Sequence, residues 1–459
     1  MRMISRKRMK GQAMVLFLGF AAAMIGVMLV SFNSGQVTNA KMRAMNAADA
    51  AAYSGAVWEA RSLNFQAYMN RAMVVNEVTI AQSVSLRSWI DYLARFVSNV
   101  NFITEFIPYV GVVTTEISKV LDAVDKALQE ILPVVEHASR VAAHFEHDAQ
   151  LVFNATAPLA AADIATDIAK KNGTEVSLGG IALMATNELD WLAFTDTYTS
   201  AHGPVGTSGD GRKRMRAVTL DSRDGFTRNR SWDWNLIGAK VKKQGGTDLV
   251  NYDAWKGLDS ACMGIIKCNT PLAWGGAQAY KPKAMGIGTH GDGAKWNRVD
   301  GKLARAEANA PAQSTALKFA FSNYRDLQDL TQAKTANQKI PFAVEVVIKD
   351  NKVPTANSSF GAKAMLTDGT KIEHDPQYAT GNSGVYGLAE ACVYFERPPG
   401  KPSDGGADRA DEARELPSLF NPYWHASLAT PSKRTRLEVG LSKTLPSVEA
   451  FFGGTGSCS

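Results

Sequence analysis

A long apolar run lies near the start of the chain, at residues 13–32, and reads AMVLFLGFAAAMIGVMLVSF without a charge or a proline. At a helical rise of about 1.5 Å per residue, this run spans the ~30 Å hydrocarbon core of a bilayer. A secretory signal peptide is the alternative, but its apolar region is usually shorter, about 7–15 residues. No small-x-small cleavage site closes the run either. The pattern therefore predicts one retained transmembrane helix over residues 12–33.

The residues ahead of this run are strongly basic. They include Arg2, Arg6, Lys7, Arg8 and Lys10. Segments rich in Lys and Arg stay on the cytoplasmic side of a membrane. Residues 1–11 are thus predicted to be a cytoplasmic leader, with everything beyond the transmembrane helix outside the cytoplasm and the membrane lipid as one partner.

The pattern that follows is helical for about 170 residues. Alanine and methionine dominate up to residue 100, and no proline occurs before Pro108. A helix running straight out of the bilayer is predicted, with a break expected before residue 100. Apolar residues three and four apart at 112–132 predict an amphipathic helix, Pro133 a break or kink, and Asn172 with Gly173 a helix end. Residues 34–202 therefore form a predicted helical stalk.

Past residue 203 the composition changes: Gly, Asp, Ser and Arg become frequent, and the helical periodicity gives way to turns and short strand candidates. Strands are predicted at residues 342–348, 391–396 and 434–441, and a polar loop at residues 398–415. Residues 203–459 are predicted to form a loop-rich mixed head outside the cytoplasm. The fold class predicted for the whole chain is α+β, with a transmembrane helix that continues into a long helix and a helical stalk.

Charge and cysteine usage limit the function classes. The formal net charge is +6, and the basic leader supplies most of it, so the near-neutral body gives no case for a nucleic-acid partner. The four cysteines are Cys262, Cys268, Cys392 and Cys458. An even number in an oxidising compartment suggests two disulfides, with Cys262–Cys268 and Cys392–Cys458 as the preferred pairing among three connectivities. Buried free thiols are the alternative.

Several stretches invite a chemical interpretation. The metal-ligand candidates are His137, His144, His147 and Asp148, of which His144 and Asp148 share a helix face, but solvated polar positions explain them as well. A GxGxxG string at residues 286–291 lacks the flanking strand and helix of a dinucleotide site and is predicted to be a surface loop. Neither a nucleophile elbow nor a P-loop occurs, so no enzyme, metal, cofactor or small-molecule substrate is predicted.

Two clusters of side chains stand out in the head. The basic cluster contains Arg212, Lys213, Arg214, Arg216, Arg223, Arg228 and Arg230, with Asp210, Asp221 and Asp224 interleaved. Polyanion contact is one interpretation and a solvated loop is the preferred one. The tryptophan cluster contains Trp232, Trp234, Trp255, Trp274 and Trp296. It is expected to lie mainly in the core, with one or two side chains exposed for binding.

The N-terminal residues resemble a known family. The basic leader, the KGQAMVLF junction, the apolar run and the AADAAAYSGA box together resemble the start of TadG-like proteins of the bacterial tight-adherence (Tad, or Flp) pilus system. Residues 60–82, ARSLNFQAYMNRAMVVNEVTIAQ, are similar to the segment that follows this N-terminus in members of that group. Residues 419–429, LFNPYWHASLA, resemble a closing motif of similar proteins. The resemblance covers mainly the first 80 residues.

Two features depart from that family. Pilin-type leaders are cut after a glycine and commonly carry a glutamate five residues on, but the fifth residue after Gly11 is Leu16. Gly11 and Gln12 are the candidate processing position, and cleavage stays open. Many members also carry a von Willebrand A domain with an Asp-x-Ser-x-Ser metal motif. The nearest string begins at Asp259 and lacks the second serine, so that metal site is not predicted.

The resemblance implies a minor pilin or a pilus-assembly component in the bacterial inner membrane. Other pilus subunits are the expected partners, through the N-terminal helix. The interface is expected on the small residues Ala47, Ala48, Ala51, Ala52 and Gly55, which let helices approach closely, and on Asn64, Tyr68, Asn70 and Arg71. Leucine at positions 51 and 55 is expected to leave the fold intact and to block a partner helix. A signal-anchored adhesin or polymer-binding protein is the alternative.

Overall fold

The computed structural model describes residues 12–104, 110–198, 211–236, 238–250, 254–265, 270–280, 288–289, 339–349, 352–354, 384–396 and 417–444. Its helices are α1 (Gln12–Thr104), α2 (Val110–Lys171), α3 (Leu178–Tyr198), α4 (Gly211–Asp221), α5 (Gly225–Arg228) and α6 (Lys433–Thr444). Its strands are β1 (Glu175–Val176), β2 (Trp232–Leu236), β3 (Ala239–Val250), β4 (Ala254–Gly264), β5 (Thr270–Tyr280), β6 (Gly288–Thr289), β7 (Ile340–Lys349), β8 (Gly384–Phe395) and β9 (Trp424–Ala429).

The strands form two antiparallel sheets. One has the order β1-β7-β8-β9 and the other the order β2-β3-β4-β5-β6. In the first sheet Phe342 lies opposite Ala391 and Val393 opposite Ala426. In the second, Asp259 lies opposite Gly275. Helices combined with antiparallel sheets confirm the predicted α+β class.

Helix α1 is the element around which both sheets pack. Its residues 47–63 share a core with Phe342, Val344 and Trp424 of the first sheet. Its residues 73–96 pack on Leu249, Trp255 and Ala261 of the second sheet. Helix α2 runs beside α1 and contributes Ala157 and Ala161 to the first core. Helix residues of the predicted stalk and strands of the predicted head therefore share cores.

The helices are longer than their sequence predicts. Helix α1 continues for 93 residues without the expected break, and from Asn33 onward the sheets and α2 pack against it. Helix α2 passes through Pro133 and Pro158. A proline costs a helix about 3 kcal/mol, but neighbouring Leu132 is buried against Met73 and Val74, and this packing holds the helix together. The end of α2 is as predicted, with Gly173 at a φ of 74°.

Two of the three predicted strands are confirmed and one is wrong. Strands β7 and β8 contain residues 342–348 and 391–395. Residues 434–441, predicted to be a strand, lie in α6. The Thr435 N–H donates to Ser432 Oγ at 3.1 Å, which caps the helix. Thr435 and Val439 are both buried and four apart, so one helix face packs inward.

Candidate assembly site

The first twenty residues of α1 make no contribution to the cores. Met14, Leu16 and Phe17 are 70–75% exposed, and the first buried side chain is that of Asn33. The helix is long and apolar enough here to cross a membrane, and none of this apolar window is buried by the protein. An apolar helix surface that the rest of the protein does not cover can pack against lipid or against another apolar helix. Gly11 lies outside the described residues, and Gln12 is the first residue of α1.

The stripe of small residues is buried within the chain itself. Ala47, Ala48, Ala51 and Ala52 are 0–1% exposed. A Cβ added at Gly55 would overlap the Phe342 ring, and one added at Gly387 of β8 would overlap the carbonyl of Ala44. The sheet thus approaches the α1 backbone as closely as a partner helix would. The close approach expected from small residues is used by β7 and β8, and this face of α1 is not on the surface.

The closing motif binds α1 through the polar residues that were expected to meet a partner. Asn64 Nδ2 donates to the carbonyl oxygen of Trp424 at 2.9 Å, and the Trp424 N–H donates to Asn64 Oδ1 at 3.0 Å. Asn70 Nδ2 donates to the Leu419 carbonyl at 2.8 Å. Arg71 donates to the Phe420 carbonyl and to Asn421 Oδ1. These contacts join two stretches about 350 residues apart in sequence, while Tyr68 stays 55% exposed.

Amide side chains also join α1 to α2, and Trp191 of α3 bonds to the same part of α2. Gln150 Nε2 donates to the Gln66 carbonyl and to Asn70 Oδ1, each at 2.8 Å. Gln66 Nε2 donates to Asn154 Oδ1 at 3.3 Å, and Trp191 Nε1 donates to the Asn154 carbonyl at 3.0 Å. Buried amides with these partners fix the register of packed helices, because a shift would leave polar groups unpaired.

A buried ion cluster fixes α1 to the second sheet. Asp259 of β4 is fully buried and accepts hydrogen bonds from Lys243 Nζ at 2.7 Å, Arg230 Nη2 at 2.9 Å and Ser88 Oγ at 2.7 Å. Burial lowers the pKa of Lys243, and burial together with the charge of Asp259 raises the pKa of Tyr92 to about 12. Two cations around one carboxylate compensate its desolvation. Asp259 therefore serves packing here.

The basic cluster is largely occupied within the protein. Arg216 donates to the Leu249 carbonyl, Arg223 to the Thr247 carbonyl and Arg228 to the Asp221 carbonyl. Asp224 caps α5 by accepting from the Thr227 N–H at 2.9 Å. These residues lie in and around helices α4 and α5, where a solvated loop was the preferred prediction. Asp210 and the side chains of Arg212, Lys213 and Arg214 lie outside the described part.

A second buried group of acids lies where α1, α3, β8 and α6 meet. Glu59 is fully buried, and neither of its carboxyl oxygens has a hydrogen-bond partner among the described residues. Burial, and then the charge of Asp190, raises the pKa of Glu59 well above its ordinary value. Burial raises the pKa of Asp190 to about 6, although Arg434 Nη1 donates to it at 3.0 Å. Glu390 Oε2 accepts from the Ser432 N–H at 2.8 Å.

The remaining sequence candidates are scattered over the molecule. His137 and His144 lie on exposed positions of α2. No cluster of three metal-ligating side chains occurs within the described ranges. Of the GxGxxG string only Gly288 and Thr289 are described, in β6. Trp255 is buried, whereas Trp232 and Trp234 are 46% and 58% exposed. Trp274 stacks with the Arg95 guanidinium, and Trp296 lies outside the described residues.

The predicted disulfides involve four cysteines, of which the structure describes two. Cys262 and Cys392 are each 2% exposed, in β4 and β8, and the described part of the chain has no free cysteine. Cys268 and Cys458 lie outside the described residues, so the preferred pairing stays a prediction.

Sequence reasoning overlooked Glu59 and Asn187. Asn187 Nδ2 donates to the Ala343 carbonyl at 2.9 Å and its Oδ1 accepts from the Ala343 N–H at 3.0 Å, as Asn64 does with Trp424. A signal for Glu59 existed, since it stands four residues after Gly55 and interrupts the small stripe with a charge. No comparable signal marks Asn187, because its partner is 156 residues away.

A family model described as Flp pilus-assembly TadE/G-like (Tad) matches residues 11–58. The match covers the bare apolar part of α1 and the small stripe that follows. No curated protein and no solved structure matches the chain.

Proposed function

We propose that this chain, whose residues 11–58 carry a TadE/G-like Flp pilus-assembly domain, is a membrane-anchored structural component of a Flp (Tad) pilus, either a minor pilin or an assembly component. One observation carries the proposal. The family match coincides with the exposed apolar part of α1, and the same helix then continues into the cores of both sheets. Any force or displacement at the anchor is therefore transmitted directly to the body.

The proposed location is the bacterial inner membrane, crossed once, with residues 1–11 in the cytoplasm and the body outside. The basic leader supports this orientation. Alkaline phosphatase, which is active only after export, reports the side on which it lies. A fusion after residue 200 is expected to be active, and an inactive fusion would contradict the orientation.

The proposed partners are other pilus subunits, contacted through the N-terminal helix. Because the small stripe is buried, the contact falls on residues 13–32 and on the opposite flank of α1, where Met42 and Tyr53 are 56% and 44% exposed. The apolar side chains of residues 13–32 and of this flank can pack against a neighbouring helix or lipid. This moves the proposed interface off Ala47–Gly55 while keeping it on the same helix.

We also propose that the chain acts without catalysis, cofactor, small-molecule substrate or nucleic acid. Several buried charged side chains form ion pairs within the protein, and these packing roles support a non-catalytic function. Asp259 forms ion pairs with both Arg230 and Lys243, and Arg434 pairs with Asp190. A structural role explains why these groups are buried between elements.

An exported body also accounts for the cysteines. We expect disulfide-linked peptides containing Cys392 and Cys458 in non-reducing mass spectrometry, since thiols in an oxidising compartment pair. Four thiols that can be alkylated in the native protein would contradict both the pairing and the compartment.

A swap of the anchor tests the function. Residues 13–32 are replaced by an unrelated apolar span of equal length, with the leader and body unchanged. The variant is expected to remain in the membrane and to fold, since these residues take no part in the cores. It is expected to lose co-purification with pilus subunits and pilus-dependent attachment. Normal attachment with the replaced span would show that residues 13–32 serve as an anchor only.

An adhesin that grips a polymer is the second candidate, favoured by one observation. Trp232 and Trp234 stand two apart on β2, at the edge of the second sheet, and both are exposed. Side chains two apart on a strand share a face, and a pair of exposed indoles can stack on sugar rings. If attachment is lost in W232A/W234A but survives the anchor swap, this second function is correct.

A further inference from the structure

Helix α2 carries an apolar stripe on the side that faces away from α1. Its members are 39–73% exposed and comprise Val113, Ile117, Val120, Val124, Ile131, Val134, Val141, Phe145 and Val152. Ala127 and Ala138 continue the same line. The other side of α2 is the one that packs on α1, for example through Leu132 and Gln150. The stripe is therefore a second apolar face on a helix whose first face is already used.

The spacing of the stripe is that of a coiled-coil seam. From Val113 to Phe145 the steps alternate between four and three residues, without a charged residue at any of them. In heptad terms Ile117, Val124 and Ile131 take position a, and Val120, Ala127 and Val134 take position d. A strict seven-residue repeat fits a second helix that supercoils along it. The occupant indicated by this geometry is a helix.

Lipid is excluded as the occupant by distance. Along α2, Gln150 contacts Asn70 and Asp125 contacts Arg87 of α1. These α1 residues stand 38 and 55 positions beyond Phe32, where the apolar run ends. At about 1.5 Å per residue they lie roughly 55 to 80 Å from the end of that run. The seam thus lies far above any membrane that residues 13–32 could enter.

We propose that the seam binds the α2 seam of a second copy of this chain, parallel and in register. The direction rests on the proposed function, because two copies anchored in one bilayer and related by a two-fold axis along its normal have parallel α2 helices. Position a then meets a and position d meets d, so Ile117, Val124 and Ile131 each pack on their own counterparts.

The charges that flank the seam are compatible with a second copy. In a parallel pair, position g of one helix faces position e of the other. The g positions include Glu116 and Glu130, and the e positions they would face are Leu121 and Val135. No like charges meet across the seam. The e residues Leu121 and Val135 are half-buried, whereas the a, d and g positions of the seam are exposed.

The seam ends at a charge. Asp148 occupies the d position that follows Phe145 and is exposed. Two aspartates would face each other there in a parallel pair, which is unfavourable. From Val113 to Phe145 the uncharged seam is nevertheless about 48 Å long, at about 1.5 Å per residue.

Cysteine cross-linking in the full chain tests this proposal. Val120 and Val141, both at d, are replaced singly by cysteine, and Gln129, exposed and off the seam, provides the matched control. Membranes that contain each variant are treated with an oxidant, so that neighbouring cysteines form disulfides. Covalent dimers are then measured by non-reducing electrophoresis and compared with the wild type, which carries the native cysteines. Both V120C and V141C are expected to give dimers well above the Q129C and wild-type levels. I131K, added to V120C, is expected to abolish the dimer while each chain still unfolds cooperatively, since Ile131 is exposed in the single chain.

Several results would overturn the proposal. These are dimer levels equal to Q129C, a cross-link to a different protein, and an internal disulfide to a native cysteine of the same chain identified by mass spectrometry. Dimers from only one of the two positions would indicate antiparallel helices and contradict the parallel arrangement. The measurement is independent of pilus formation, so its failure is distinguishable from failure of the proposed function.

Discussion

At the scale of single residues, Gly55 shows how closely α1 and the first sheet are fitted. A Cβ at this position would overlap the Phe342 ring. Gly55→Ala is therefore expected to lower the free energy of unfolding by about 1–3 kcal/mol, because the ring must move within a packed core. This reverses the expectation that leucine at positions 51 and 55 leaves the fold intact. Chemical denaturation measures the change.

Gly35 provides the matched control for Gly55. It lies in the same helix, it is exposed, and a Cβ there meets nothing within 4 Å. Gly35→Ala is expected to raise stability by up to ~1 kcal/mol through helix propensity alone. Adding Phe342→Leu to Gly55→Ala should recover part of the loss. Equal effects at both glycines would argue against a close approach at Gly55.

Glu59 gives a prediction for pH dependence. Its pKa, like that of Asp190, is raised in the folded state, so the folded protein binds more protons than the unfolded chain. The free energy of unfolding therefore decreases as pH rises, from about pH 4 through about pH 6 for Asp190. Glu59→Gln keeps the shape and cannot ionise. Its stability relative to wild type is expected to increase above pH 4.5, as measured by unfolding at pH 4.5 and 8.

The charges around Asp190 make its own substitution unsuitable as a control, so an exposed carboxylate is used instead. Asp190 is also influenced by Arg434, Glu438 and Glu390, so its own substitution would disturb an ion pair. Glu116→Gln removes an exposed carboxylate that pairs only with Lys119 on the surface. It is expected to leave the pH dependence nearly unchanged. If the stabilities of the wild type and of E59Q change in parallel between pH 4.5 and 8, Glu59 is not responsible.

At the scale of elements, paired amides hold strands to helices. Asn64 occupies both the N–H and the carbonyl of Trp424 at the start of the edge strand β9. Asn64→Ala is expected to cost about 2–3 kcal/mol, since two hydrogen bonds are lost and backbone groups become unpaired. Faster hydrogen exchange of the Trp424 amide would locate the effect. Asn99→Ala, which removes one exposed hydrogen bond to Leu272, is the control and should cost less.

At the scale of the whole molecule, the division between the exposed apolar run and the packed body falls at Asn33. Side chains at residues 13–32 are not buried by the protein, and burial begins at Asn33. Deletion of residues 1–32 is therefore expected to release the protein from membranes with its unfolding midpoint unchanged. Fractionation and thermal unfolding measure the two effects. A large fall in the midpoint would show that the apolar run supports the body.

The sequence by itself determined the features that depend on local pattern. Residues 13–32 are uniformly apolar, so their helix and exposure follow from hydropathy and rise per residue. The strands at 342–348 and 391–395 follow from dense β-branched and apolar runs, and the end of α2 from Gly173. The family resemblance likewise rested on contiguous N-terminal residues.

Only the tertiary structure decided what covers each surface. Small residues at Ala48 and Gly55 require a close neighbour, but their spacing is the same whether that neighbour is a partner helix or the chain's own sheet. The helical propensity of residues 434–441 was weak, and capping by Ser432 with burial of Val439 decided the helix. The Asn64–Trp424 contact spans 360 residues. Pairing at such separation depends on packing, because no local periodicity records it.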